Sequence, residues 1–167
     1  MSIFRRRAYK LYDVETFFET YKYGLSGEVG NEVFIRYLGA SGRQKTFKVY
    51  DDEMEIILAQ KASTEDFNRK LGNACCLNNE GLELEKAGDI AGAIAKYEEN
   101  ILPGTHFTLN PYHRLCVLYR RAGDYDNEIR VIETCLARYE LGQDKERDFF
   151  EDRLQKAIKY REQHQQK

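Results

Sequence analysis

Apolar residues at Val14, Phe17, Phe18, Tyr21 and Leu25 recur at steps of three and four. That spacing gives a helix one apolar face. Gly24, Gly27 and Gly30 then interrupt the pattern and predict a loop. Residues 32–38 are rich in β-branched and aromatic side chains, and residues 45–50 alternate polar and apolar. With the turn residues 39–42 between them, these two runs predict a β-hairpin. Its faces should bury Val33, Ile35, Phe47 and Val49 against helices and leave Arg36 and Lys48 in solvent. Asp51 and Asp52 are good N-cap residues for a short helix over 52–61, carrying Met54, Ile56, Ile57 and Leu58. Ser63 or Thr64 then caps a new helix through Phe67, Leu71, Ala74, Cys75, Leu77 and Leu84 to Lys86.

The second half reads as helices throughout. Ile90, Ala93, Ile94, Tyr97 and Ile101 form one apolar face, which Pro103 and Gly104 stop. Pro111 opens the next helix, with Tyr112, Leu115, Cys116, Leu118 and Tyr119, and Gly123 ends it. Tyr125, Ile129, Ile132, Leu136 and Tyr139 follow, up to Gly142, and a last helix over 145–163 uses Phe149, Phe150, Leu154, Ala157 and Ile158. Within this run one phrase occurs twice. Ala87, Gly88 and Asp89 separate two helix patterns, and Ala122, Gly123 and Asp124 do so again 35 residues later. A period in this range marks stacked helical hairpins.

The residues around the first turn, Gly81, Gly88, Asp89, Ala93, Tyr97 and Pro103, resemble the tetratricopeptide repeat (TPR) family in type and spacing. Leu115, Tyr119, Gly123, Asp124, Tyr125, Ile129 and Ile132 carry the resemblance in a second unit. The chain departs from the pattern at Glu80, where an apolar residue is usual, and at Glu128, where alanine is expected. The resemblance covers roughly residues 73–142. It implies antiparallel helical hairpins whose first helices line a concave face. That face would present Asn78, Leu82, Glu85 and Lys86 from one unit, and His113, Arg114, Val117, Arg120 and Arg121 from the other. The second set is basic and suits a peptide or protein segment carrying carboxylates.

The fold expected is mostly α (α+β overall). An N-terminal part, 1–62, holds the first helix, the β-hairpin and the short helix. Residues 63–167 form TPR-like hairpins with a C-terminal capping helix. The net charge of −2 conceals a gradient: +4 over 1–50, −7 over 51–100 and +1 over 101–167. A nucleic-acid binder usually carries a stronger basic bias. Even so, Arg5, Arg6, Arg7, Arg36, Arg43, Lys45 and Lys48 lie among aromatic residues in the N-terminal part. They are the alternative site, for nucleic acid.

Catalytic signatures are missing: there is no phosphate-binding loop, nucleophile elbow or HExxH motif. His106, His113 and His164 have no ligand spacing, and the four cysteines, Cys75, Cys76, Cys116 and Cys135, have none either. No enzyme activity, cofactor or metal is therefore expected. The function expected is that of a cytoplasmic protein–protein interaction scaffold with no membrane contact. The outer edge of the hairpin offers a surface for a homodimer.

Overall fold

In the computed structural model, which describes residues 7–138 and 144–165, two strands and seven α-helices follow one another along the chain. They are β1 (Tyr9–Asp13), α1 (Val14–Tyr21), α2 (Gly27–Ala40), β2 (Thr46–Tyr50), α3 (Asp51–Lys86), α4 (Ile90–Asn100), α5 (Leu109–Ala122), α6 (Tyr125–Arg138) and α7 (Asp144–Gln165). A short 3-10 turn, Lys22–Gly24, joins α1 to α2. The chain divides into two compact units, Met1–Arg69 and Lys70–Lys167, with the boundary inside α3. None of these helices is long and apolar enough to cross a membrane.

The N-terminal unit contains the expected two-stranded antiparallel sheet, with its second strand in place, but the first strand lies elsewhere. Residues 32–38 belong to helix α2, and β2 pairs instead with β1, from Tyr9↔Tyr50 to Asp13↔Thr46. Burial explains the change. In a strand Val33 and Ile35 would share a face, yet Val33 is fully buried and Ile35 is 67% exposed. The inward residues are instead Gly30, Val33, Tyr37 and Ala40, spaced three and four apart. Aromatic stacking fixes that choice: Phe34 and Tyr37 of α2 lie 5.8 and 5.6 Å from Phe18 of α1. Gly27 and Gly30, expected in a loop, begin α2.

Asp13 ends β1 and caps α1 by accepting the Thr16 N–H at 3.0 Å. Val14, Phe17, Val33, Ala40, Phe47, Val49, Met54 and Ile57 form the core of this unit. Glu53 is buried beside it. It accepts hydrogen bonds from Arg36 Nη2 (2.6 Å) and the Tyr50 N–H (3.0 Å), so one carboxylate joins α2, β2 and α3. The expected break at Ser63 does not occur: α3 is continuous from Asp51 to Lys86. No glycine or proline lies between Asp51 and Leu71, so nothing forces a stop there.

In the C-terminal unit, the two Gly-Asp turns are the same structure 35 residues apart. Gly88 and Gly123 both have positive φ, 84° and 72°. Their N–H groups donate to Glu85 O and Arg120 O at 3.1 Å each. The next residues, Asp89 and Asp124, donate to Leu84 O and Tyr119 O at 2.9 Å each. This pair of bonds closes a helix through a left-handed glycine. The Asp89 and Asp124 carboxylates then cap α4 and α6 through Gly92 N (2.9 Å) and Asn127 N (3.1 Å). Antiparallel helical hairpins result, over a core of Ala93, Tyr97, Leu115, Ile132, Phe150, Ala157 and neighbours. The long connection after α4 is held by Arg138, which donates to Ile101 O, Thr105 O and Tyr112 Oη. Gly142, expected to end α6, lies outside the described residues.

Gly81 of α3 packs closely against the Tyr97 ring of α4. A Cβ built on Gly81 would sit 2.6 Å from Tyr97 Cε1, and Tyr97 is fully buried. Gly81→Ala should therefore destabilise the chain by about 1–3 kcal/mol through overpacking. Urea denaturation measures it, and an unchanged midpoint would mean the ring has room to move.

Candidate functional site

The residues expected on a concave face occupy α3 and α5 of the C-terminal unit, and an ion pair joins the two helices. Arg114 Nε donates to Glu85 Oε2 at 3.0 Å, and its Nη2 pairs with Glu85 Oε1. This partnership raises the Arg114 pKa above its ordinary value. Leu82 lies three residues before Glu85, and Val117 and Arg121 lie three and seven after Arg114, so each shares a helix face with its ion-paired neighbour. Leu82 is 40% exposed, Val117 is half-buried and Arg121 is exposed. Asn78 stands one turn before Leu82, and its half-buried side chain has a buried Oδ1 with no hydrogen-bond partner. Lys86 pairs along its own helix with Glu83.

The remaining two residues face the last helix. His113 Nε2 lies 3.3 Å from Glu146 Oε2, and its ring sits 5.1 and 4.7 Å from those of Phe149 and Phe150. Arg120 Nε donates to Glu128 Oε2 at 3.0 Å. Its Nη2 is 2.9 Å from Oε1, an ion-pair distance off the hydrogen-bond direction. Arg153 of α7 grips the other side of the same carboxylate, with its Nε 2.9 Å from Oε1. Glu128 is completely buried, at the position where the repeat pattern calls for alanine. So Arg114 and Arg120, expected to meet a partner's carboxylates, are matched from within. Arg121 alone of the three arginines has no ion pair among the described residues.

Sequence reasoning did not find Glu128, Arg153 or Glu146 as partners. The signal was the break in the repeat at residue 128 itself, because a charge at a buried crossing requires opposite charges within reach.

The basic N-terminal set is dispersed. Arg5 and Arg6 lie outside the described residues. Arg7 donates to both Asp52 oxygens (2.7 and 2.6 Å) and lies over the Tyr50 ring. Arg36 is engaged by Glu53, and Lys48 lies 3.9 Å from the centre of the Tyr9 ring. Arg43 and Lys45 are exposed between α2 and β2. Of the aromatic residues expected beside these cations, Phe47 is buried, and Phe34 and Tyr37 stack on Phe18.

Cys75 and Cys76 are exposed, while Cys116 and Cys135 are buried. Burial pushes both buried thiols up to about 12.

Glu128→Ala leaves two guanidinium groups facing each other without a counter-charge, and should cost about 3–5 kcal/mol in urea unfolding. A disulfide reagent near neutral pH should titrate Cys75 and Cys76 in the native protein and all four thiols in denaturant. The same burial sets a pH trend. Folding favours the neutral thiols above their ordinary value of 9.0, so this contribution is whole below pH 9 and is lost as pH rises toward about 12. Thermal melts across that interval check the sign.

No protein-family model, curated protein or solved structure matches this chain.

Proposed function

We propose that this chain is a non-enzymatic, TPR-like adaptor that captures an extended protein segment on the face shared by the second half of α3 and by α5. The observation that carries the proposal is the pair of like-built helical hairpins whose first helices are bridged by Arg114 and Glu85. Beside that bridge stand two exposed side chains, Leu82 and Arg121. An apolar side chain of the partner would rest on Leu82 and Val117. A carboxylate of the partner would meet Arg121, whose planar fork suits it. The internal pairing of Arg114 and Arg120 makes the face less basic than its sequence, so the partner segment needs one well-placed acid rather than an acidic run.

Nucleic acid has less support as a partner. Arg7 and Arg36 are bonded to acids, and the Tyr9 and Tyr50 rings already carry Lys48 and Arg7. Bases would have to displace those cations to stack.

The test has two stages. Affinity capture from the native cell with mass spectrometry identifies a partner, and calorimetry then measures its binding segment. The double variant Leu82→Glu with Arg121→Glu changes two exposed side chains, so its circular dichroism should match wild type. It should bind at least ~10-fold more weakly, a loss of about 1.4 kcal/mol. Wild-type affinity in the folded variant would refute the groove.

A further inference from the structure

The sheet of the N-terminal unit ends in an edge that no other described strand pairs with. Asp51 N donates to Ala8 O and Val14 N to Lys45 O, each at 3.0 Å, in the same register as the strand pairs between them. Bonded and non-bonded positions alternate along an antiparallel pair. Ala8, Lys10, Tyr12 and Val14 therefore turn their backbone groups toward β2, and Tyr9 and Leu11 turn theirs away from it. Those outward N–H and C=O groups have no partner among the described residues. The side chains of the same two residues are 50% and 62% exposed. Large apolar side chains on an open strand are what natural edges usually avoid.

A shallow cleft of about 300 Å³ runs along the other face of this strand, lined by Lys10, Tyr12, Asp51, Met54, Glu55 and Leu58. Lys10 and Glu55 have no ion pair among the described residues, and Leu58 is 48% exposed. A strand laid beside β1 would cover this cleft with the side chains on its own matching face.

We propose that β1 is an interaction edge and that its occupant is β1 of a second copy of this chain, giving a four-stranded antiparallel sheet across a two-fold axis. The strand is complementary to itself about Leu11. The Leu11 residues of the two copies exchange their outward N–H and C=O groups, which requires the hydrogen-bonded kind of pair that both present. Lys10 of each copy stands opposite Tyr12 of the other, a cation beside an aromatic ring. Tyr9 stands opposite Asp13. Lys10 of the second copy also enters the cleft, where Glu55 supplies the missing negative charge. The one charge in the middle of the strand thus finds a partner in the pair, whereas in a single chain it has no ion pair among the described residues. Five residues per strand make a small interface, at the weak end for specific association, so the dimer should form reversibly in the micromolar range.

Sedimentation velocity over a series from low to high micromolar concentration tests this. Wild type should pass from monomer to dimer. Leu11→Lys places two like charges opposite each other at the axis. The site is solvent-exposed, so the variant should keep its wild-type circular dichroism and associate at least ~10-fold more weakly. Lys10→Glu should weaken association similarly, and Lys10→Glu with Glu55→Lys should restore it. A wild-type chain that stays monomeric at high micromolar concentration overturns the proposal, even if the edge takes up an extended peptide instead. So does a Leu11→Lys variant that associates as wild type does, since the contact then lies on another surface. Failure of the charge swap to restore association removes the Lys10–Glu55 contact.

Discussion

Three helices of the C-terminal unit meet at one carboxylate that solvent does not reach. Glu128 projects from α6 and is held from α5 by Arg120 and from α7 by Arg153. Burying a charge this deeply costs several kcal/mol unless geometry and hydrogen bonding offset it. Here the oxygens face two guanidinium groups, each anchored on a different helix. The apolar residues around the cluster, Ile129, Ile132, Phe150 and Ala157, supply the non-directional drive to pack. The carboxylate supplies direction, because only one placement of α5 and α7 brings both arginines to it. The acid at residue 128, where the sequence resemblance leads one to expect alanine, is thus coupled to Arg120 and Arg153.

The N-terminal unit uses the same device with different elements. Glu53 is only 7% exposed, and α2 and β2 both reach it, through Arg36 and the Tyr50 N–H. Its neighbour Asp52, at the surface, takes Arg7, whose Nη2 also lies 3.5 Å from Glu53 Oε1. In both units an acid at the inner end of an apolar face selects the arrangement of its neighbours. The consequence for function is subtractive. Several arginines that look available in the sequence are held by acids within their own unit, and among the described residues the exposed cations without an ion pair are Arg121, Lys145 and Lys159 in one unit, and Lys10, Arg43, Lys45 and Lys48 in the other.

Much of the architecture was legible because its signals were local. The Gly-Asp turns need a left-handed residue and a cap, and both are written into three consecutive positions. The helices after residue 86 have clean 3.6-residue periodicity with glycine or proline at their ends. The N-terminal part was harder for the same reason in reverse. Residues 32–38 mix β-branched and aromatic types that suit a strand, but propensity yields to packing, and the deciding contact, Phe18 with Phe34 and Tyr37, joins two helices. Tyr9–Asp13 is too short to announce itself, and its pairing partner lies beyond two helices. At the candidate site, helix spacing put Leu82 on the face of Glu85, and Val117 and Arg121 on the face of Arg114. It could not show that Arg114 and Arg120 already had partners, because Glu85 and Glu128 come from other helices.

Neither strand is followed by a loop. Tyr50 of β2 is succeeded directly by Asp51 of α3, and Asp13 of β1 by Val14 of α1. The sheet's register and the rotational phase of these two helices are therefore a single degree of freedom. Sliding the strands by one residue would move each helix start by one position, turning its faces by about 100°. Met54 and Ile57 would leave the core together with Val14 and Phe17, and Phe47 and Val49 would turn to solvent in the same step. A short sheet with weak intrinsic pairing thus acquires a sharply defined register from the helices welded to its ends.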